Sequence, residues 1–224
     1  MPSIDSREGI ITVKIVYYGC ALSGKTTNLR YLYNALPIGQ RGDFVSVATQ
    51  TERTLHFDVL PLTVGEGARY QARFQLYTVP GQAFYNATRQ LVLRSVDGVV
   101  FVADSQWEKM EENVESFRNL EENLARQNIS IDEIPYVVQY NKRDLGNIAP
   151  VNYLEFLLNN RKKRVQSFEV ISSTGQNVFA SLNAVSQMLL HKFNKGDVAT
   201  TAAPPPVAQP VEPSVPKIAT STRV

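Results

Sequence analysis

Residues 19–26 read Gly19-Cys20-Ala21-Leu22-Ser23-Gly24-Lys25-Thr26, a lysine and a hydroxyl set directly behind a glycine-bounded loop. That spacing, G-x-x-x-x-G-K-[ST], builds a phosphate-binding loop. Its flanks suit the chemistry. Val13, Ile15, Val16, Tyr17 and Tyr18 ahead of it have the β-branched and aromatic content of a strand. Leu29, Leu32 and Tyr33 behind it share one helical face. A loop so placed gathers backbone N–H groups at a helix N-terminus, where unpaired donors and the helix dipole favour phosphate oxygens. Thr27 extends the lining by one residue. Lys25 is expected to reach the β- and γ-phosphates of a nucleotide, and the Thr26 hydroxyl to ligate Mg²⁺.

A second constellation, Asn141-Lys142-Arg143-Asp144, has the form N-K-x-D and stands about 115 residues further on, directly behind an apolar run. Guanine presents a ring N–H and an exocyclic amino group on one edge, which one carboxylate accepts in parallel. Adenine has no such donor pair, so a buried Asp144 would go unpaired against ATP, and sites of this kind discriminate strongly. Asn141 is expected to tie its loop to the phosphate loop, and the Lys142 stem to cover the base. Ser172, Ser173 and Thr174 follow the last strand, where small residues and backbone N–H groups could approach guanine O6. A plain turn explains that stretch almost as well.

Two further stretches carry hydrolytic chemistry. Thr78-Val79-Pro80-Gly81-Gln82 stands where Ras-like proteins have D-x-x-G-Q. Gly81 lets a backbone N–H approach a γ-phosphate, and Gln82 can orient the attacking water. Thr78 replaces the aspartate that would hold a water on Mg²⁺, offering a hydroxyl without charge. In 48–54, Ala-Thr-Gln-Thr-Glu-Arg-Thr, one threonine is expected on Mg²⁺ and the γ-phosphate: Thr54, with Thr49 and Thr51 as alternatives. Arg53 beside it could act as an arginine finger in cis, or simply pair with Glu52.

These residues need a scaffold that brings strand ends together. Residues 55–63 and 69–79 read as an antiparallel hairpin turning through Gly65-Glu66-Gly67. Residues 98–104 and 134–140 are continuous apolar runs, as in parallel strands buried on both faces. Helical patterns fill 106–127, 150–158 and 178–193 and a segment running to about Arg94, and 168–171 forms a last strand. The alternation predicts a doubly wound α/β domain over 1–196, with a mostly parallel six-stranded sheet and one antiparallel edge hairpin. Such sheets bind ligands at the carboxyl ends of their strands. Residues 197–224 hold six of the chain's twelve prolines and no aromatic, a composition that cannot offset the entropy of ordering. A passive disordered tail is expected there, with a polyproline ligand as the alternative.

The totals exclude several classes. A net charge of +2 is too small to argue for nucleic acid or an anionic membrane as partner, and no nucleic acid is expected. One cysteine, Cys20, precludes an intramolecular disulfide and fits a reducing cytoplasm. No apolar run approaches a membrane span, and neither signal peptide nor lipidation motif is present, so no direct membrane anchor is expected. The basic run 161–164 and Trp107 read as a solvated helix end and an ordinary, partly buried aromatic.

Taken together, residues 19–27, 48–54, 77–82, 98–105 and 139–145 resemble the bacterial MglA-type small GTPases, a likeness spanning roughly 8–194. The T-V-P-G-Q and T-E-R-T stretches are the most specific part of it, and threonine at 78 is a mark of that family. The resemblance implies a P-loop NTPase of the small G-domain type, a switch that is on with GTP and off with GDP. It implies control of polarity or motility effectors, recruitment to a cell pole through partners, and a homodimeric Roadblock-type, MglB-like activator that pushes Arg53 and Gln82 into place. Ala21 departs from the glycine usual in that loop. A side chain there crowds the γ-phosphate, and displacements of about 1 Å cost ~10²-fold in rate. A GTP-binding scaffold with scarce turnover therefore competes with the GTPase reading. A P-loop ATPase or kinase using Asp104 as its acidic metal residue is a third.

Overall fold

The structure is a computed structural model that describes residues 3–5, 10–47, 57–64, 71–161 and 164–194. Among the described residues eight strands form one sheet: β1 (Ser3–Asp5), β2 (Ile10–Tyr18), β3 (Val45–Val47), β4 (Phe57–Val64), β5 (Gln71–Thr78), β6 (Gly98–Asp104), β7 (Tyr136–Asn141) and β8 (Ser167–Glu169). Their order is β3-β4-β5-β2-β6-β7-β8, with β1 antiparallel to the start of β2. The pairs β5–β2, β2–β6, β6–β7 and β7–β8 are parallel, while β3–β4 and β4–β5 are antiparallel. The expected edge hairpin is therefore present as β4 and β5. The expected count of six strands is two short. β1 and β3 are three residues each, below the length at which alternation can be read, and form only because neighbouring strands offer them an edge.

The central strands explain the continuous apolar runs. Every residue of β6 and of β7 is buried, because helices cover both faces of the parallel part of the sheet. Helices α2 (Asn86–Val92), α3 (Met110–Ala125) and α4 (Val151–Leu158) lie on one face, over Val16, Tyr18, Phe101, Val138 and Tyr140. Helices α1 (Lys25–Ala35) and α5 (Val178–Asn194) lie on the other, over Ile15, Tyr17, Val100, Val102 and Val137. α1 ends as Leu36 N–H caps Leu32, since Pro37 cannot continue the ladder. Pro150, with φ −65°, is preset to start α4.

The chain runs from β2 outward to β3–β5 on one side, then crosses to β6–β8 on the other. β2 is thus the point where the winding reverses, and the loop leaving it opens into the crevice that such sheets use for ligands. Registers Tyr17↔Thr78, Tyr18↔Phe101 and Asp104↔Asn141 bring four strand ends to one rim. Among the described residues, no helix is long and apolar enough to cross a membrane.

Candidate functional site

The loop between β2 and α1 can exist only with its two glycines. Gly19 and Gly24 have φ of +147° and +102°, and a Cβ on Gly24 would stand 2.1 Å from Asn141 Nδ2. Lys25, the first residue of α1, turns back over the loop and donates to the carbonyls of Gly19 at 2.9 Å and Cys20 at 2.5 Å. Burial pushes its pKa down to about 8, because the ammonium is desolvated, and the Arg89 charge pushes the same way. Cys20 points the other way: Sγ donates to Asn113 Oδ1 at 3.3 Å, and burial raises its thiol pKa, which disfavours the reactive thiolate. Ser23 is buried, Thr26 half-buried, and Leu22 and Thr27 exposed.

Asn141 at the end of β7 joins three loops. Its Nδ2 donates to Ser23 O at 2.7 Å and Ser172 Oγ at 2.9 Å, while its Oδ1 accepts from Ser172 N at 3.0 Å. The Ser172 stretch is therefore more than a turn into α5, being cross-bonded to the N-K-x-D loop and through it to the phosphate loop. Lys142, held at φ +66°, sets its ammonium 2.5 Å from Asp104 Oδ2 and 3.2 Å from Gln106 Oε1, which stretches its aliphatic stem along the rim. Asp144, Ser173 and Thr174 are exposed at the mouth. Asp144 is thus not the buried carboxylate expected, since it sits on the turn beyond β7. Asp104 takes Gln106 N–H at 3.1 Å as well as Lys142, so its carboxylate is committed to the base loop rather than to a metal.

Thr78 is buried at the end of β5, beside Tyr17, and Val79 N–H donates to Tyr17 O at 3.3 Å. The chain then lays Gly81 on the phosphate loop: an added Cβ would meet Ala21 N and Cα at 2.3 Å. Gln82 follows with its side chain exposed, lining with Ala21, Gly81, Asn86, Arg89 and Asn119 a cavity of about 660 Å³ toward α3. Arg53, Thr54, Thr49 and Thr51 lie outside the described residues, as do Lys162 and Lys163 of the basic run. Arg161 of that run is not solvated: it pairs with Glu121 and lies over the Phe117 ring. Trp107 is 43% exposed against Tyr153.

One residue of this region escaped the reading of the sequence. Arg89 of α2 is 4% exposed and donates to the carbonyls of Pro80, Gly81 and Gln82. Its signal is an arginine on a helix with no acidic residue three or four positions away, which must find acceptors elsewhere.

The donors suit a magnesium nucleotide. Among the described residues, no group of three or more His, Cys, Asp or Glu side chains could cage a metal. The rim offers hydroxyls, Thr26 and Thr78, and Mg²⁺ bound with phosphates needs only one or two protein oxygens because it keeps several waters.

Fold, phosphate loop and cross-bonded N-K-x-D loop define a P-loop G domain. A profile of the ADP-ribosylation factor family matches residues 6–192. The mutual gliding-motility protein MglA of Myxococcus xanthus (strain DK1622) is 51% identical over 192 residues, covering 86% of this chain and 96% of that protein. The chain belongs to the MglA-type small Ras-like GTPases.

Proposed function

We propose that this protein is a molecular switch that binds GTP and GDP, hydrolyses GTP slowly, and controls polarity or gliding-motility effectors, gliding motility being what the relative's name states. The observation that carries the nucleotide part is Asn141, whose three bonds lock the phosphate loop, the N-K-x-D loop and the Ser172 loop into one unit. Lys25 and the N–H groups of residues 19–27 would hold the phosphates, with Asp144 selecting guanine and the Lys142 stem covering it. Mg²⁺, held by Thr26 and Thr54 together with the phosphates, would supply charge neutralisation. Gly81 would offer its N–H to the γ-phosphate, Gln82 would orient water, and Arg53 would offset charge growing on the transferred group. Activation by a Roadblock-type homodimer, and recruitment to a pole by partners, belong to the same proposal.

The test is to denature the purified protein and identify the released nucleotide by ion-exchange chromatography. GDP or GTP is expected, whereas ATP or ADP would favour the P-loop ATPase reading and overturn this one. The scaffold reading draws on Ala21, whose backbone lies against Gly81, and on the absence of charge at Thr78. Turnover measured with a Roadblock-type partner separates the two.

A further inference from the structure

Arg89 lies in the second turn of α2, on the side facing the glycine loop and α3. Its Nε donates to Pro80 O at 2.9 Å, and Nη2 to Gly81 O at 2.8 Å and Gln82 O at 2.5 Å. Nη1 donates to Asn119 Oδ1 at 2.6 Å. Among the described residues no carboxylate forms an ion pair with it. A guanidinium buried to this degree costs heavily unless its donors are satisfied. Here the compensation comes from three successive main-chain carbonyls and one amide. This is unlike the ion pair that usually holds a buried arginine.

Three carbonyls drawn to one planar fork fix three peptide planes. No peptide bond among the described residues is cis, and in a trans plane C=O and N–H point in opposite directions. With Pro80 O on Arg89, the Gly81 N–H must face away from it. With Gly81 O there too, so must the Gln82 N–H. Gly81 is the residue that rests on Ala21 of the phosphate loop. Arg89 is itself fixed from behind: Asn119 Oδ1 also accepts from Tyr18 OH at 2.6 Å, and Tyr18 is the residue immediately before Gly19. Asn123 closes the seam, donating to Asn86, Asn119 and Tyr18. One chain of bonds thus runs from the stem of the phosphate loop through α3 to the segment 80–82.

We infer that Arg89 is a positioning residue that aims the Gly81 and Gln82 amides at a nucleotide's terminal phosphate, and so sets the protein's preference for triphosphate over diphosphate. The inference rests on the GTPase reading given above. A clamp of this kind would act on the γ-phosphate alone, since under that reading residues 19–27 and 141–144 would contact the rest of the nucleotide whether or not Arg89 is present.

The experiment measures dissociation constants for fluorescent GTP analogues and GDP, with single-turnover hydrolysis, in wild type, Arg89→Ala and Arg89→Lys. Arg89→Ala should weaken GTP at least about tenfold while GDP stays within about threefold, because charge-assisted bonds aimed at one group are lost. Hydrolysis should slow in parallel. Arg89→Lys keeps the charge without the fork and should recover only part of the GTP/GDP ratio. Equal losses for both nucleotides, a ratio unchanged from wild type, or full recovery by lysine would overturn the proposal. If Arg89→Ala does not fold, the lysine variant alone decides it, with thermal unfolding of its GDP form as the control for folding. A wild type that prefers adenine would refute the GTPase reading and leave the clamp testable, by the same ratio taken with ATP and ADP.

Discussion

Gly81 and Ala21 touch backbone to backbone: a methyl added to Gly81 would stand 2.3 Å from both the amide nitrogen and the Cα of Ala21. The first residues after β5 and the phosphate loop after β2 therefore share a contact with no room in it. A side chain added at Gly81 must move one backbone or the other, and Gln82 with it.

Replacing Ala21 by glycine removes a methyl from the residue whose backbone meets Gly81. If that methyl crowds the terminal phosphate and Gln82, Ala21→Gly should raise the single-turnover rate of GTP hydrolysis, by roughly 10-fold and up to ~10²-fold. The measurement is a rapid-mixing assay with saturating enzyme, and equal rates for the two proteins would sink the idea.

The opposite change adds a methyl where none fits. Gly81→Ala should push residues 80–82 off the phosphate loop, since the atoms it would meet are backbone and cannot rotate aside. GTP affinity and hydrolysis should both fall about tenfold or more, with GDP affinity retained. Unaltered hydrolysis in Gly81→Ala would show that this contact has no part in the reaction.

The elements differ in how plainly the sequence reveals them, for physical reasons. The loop 19–26 is legible because its function is a backbone shape, and only glycine at 19 and 24 permits that shape. β6 and β7 are legible because burial on both faces demands seven and six consecutive residues that tolerate it. β1 and β3 are not, since three residues carry no period and their pairing is decided by their neighbours. Arg89 is the instructive omission. Its acceptors are carbonyls, which every residue carries, so the missing acidic neighbour at helical spacing is the one hint and does not say where the clamp closes. The Asn141–Ser172 pair is intermediate: the asparagine is legible as a motif, but its serine partner emerges only when β7 and β8 lie side by side.

Lys25 gives the site a pH dependence whose sign can be worked out. In the folded protein its pKa lies at about 8, lowered from 10.5 by burial. The unfolded chain therefore holds more protons than the folded one between those values, and folding stability without nucleotide should rise with pH through that window. Phosphate beside the ammonium pulls its pKa back up. Nucleotide binding should then take up a proton above pH ~8, and affinity should fall by up to ~10-fold per pH unit there while staying flat below. Calorimetry of GDP binding in buffers of different ionisation enthalpy checks this at pH ~7 and ~8.5. Proton uptake near zero at both would mean Lys25 is charged throughout.

Asn141 is where stability and ligand binding should fail together. Asn141→Ala removes the donor to Ser23 O and Ser172 Oγ and the acceptor of Ser172 N–H, all of them buried. Leaving such groups unsatisfied costs about 1–3 kcal/mol each, so a loss of roughly 2–4 kcal/mol in unfolding free energy is expected, allowing for partial rescue by water. Asn141→Asp is the sharper variant. It can still accept from Ser172 N–H, but its second oxygen would face Ser23 O with no proton to offer, turning a 2.7 Å bond into a repulsion. Urea denaturation of the nucleotide-free proteins gives the stability change, and nucleotide release rates give the change in binding. If Asn141 joins the three loops energetically as well as geometrically, both variants should release GDP at least about tenfold faster, with the aspartate variant improving as pH falls and the new carboxyl takes up a proton. Faster release that does not respond to pH in the aspartate variant would place the effect elsewhere than in this bond.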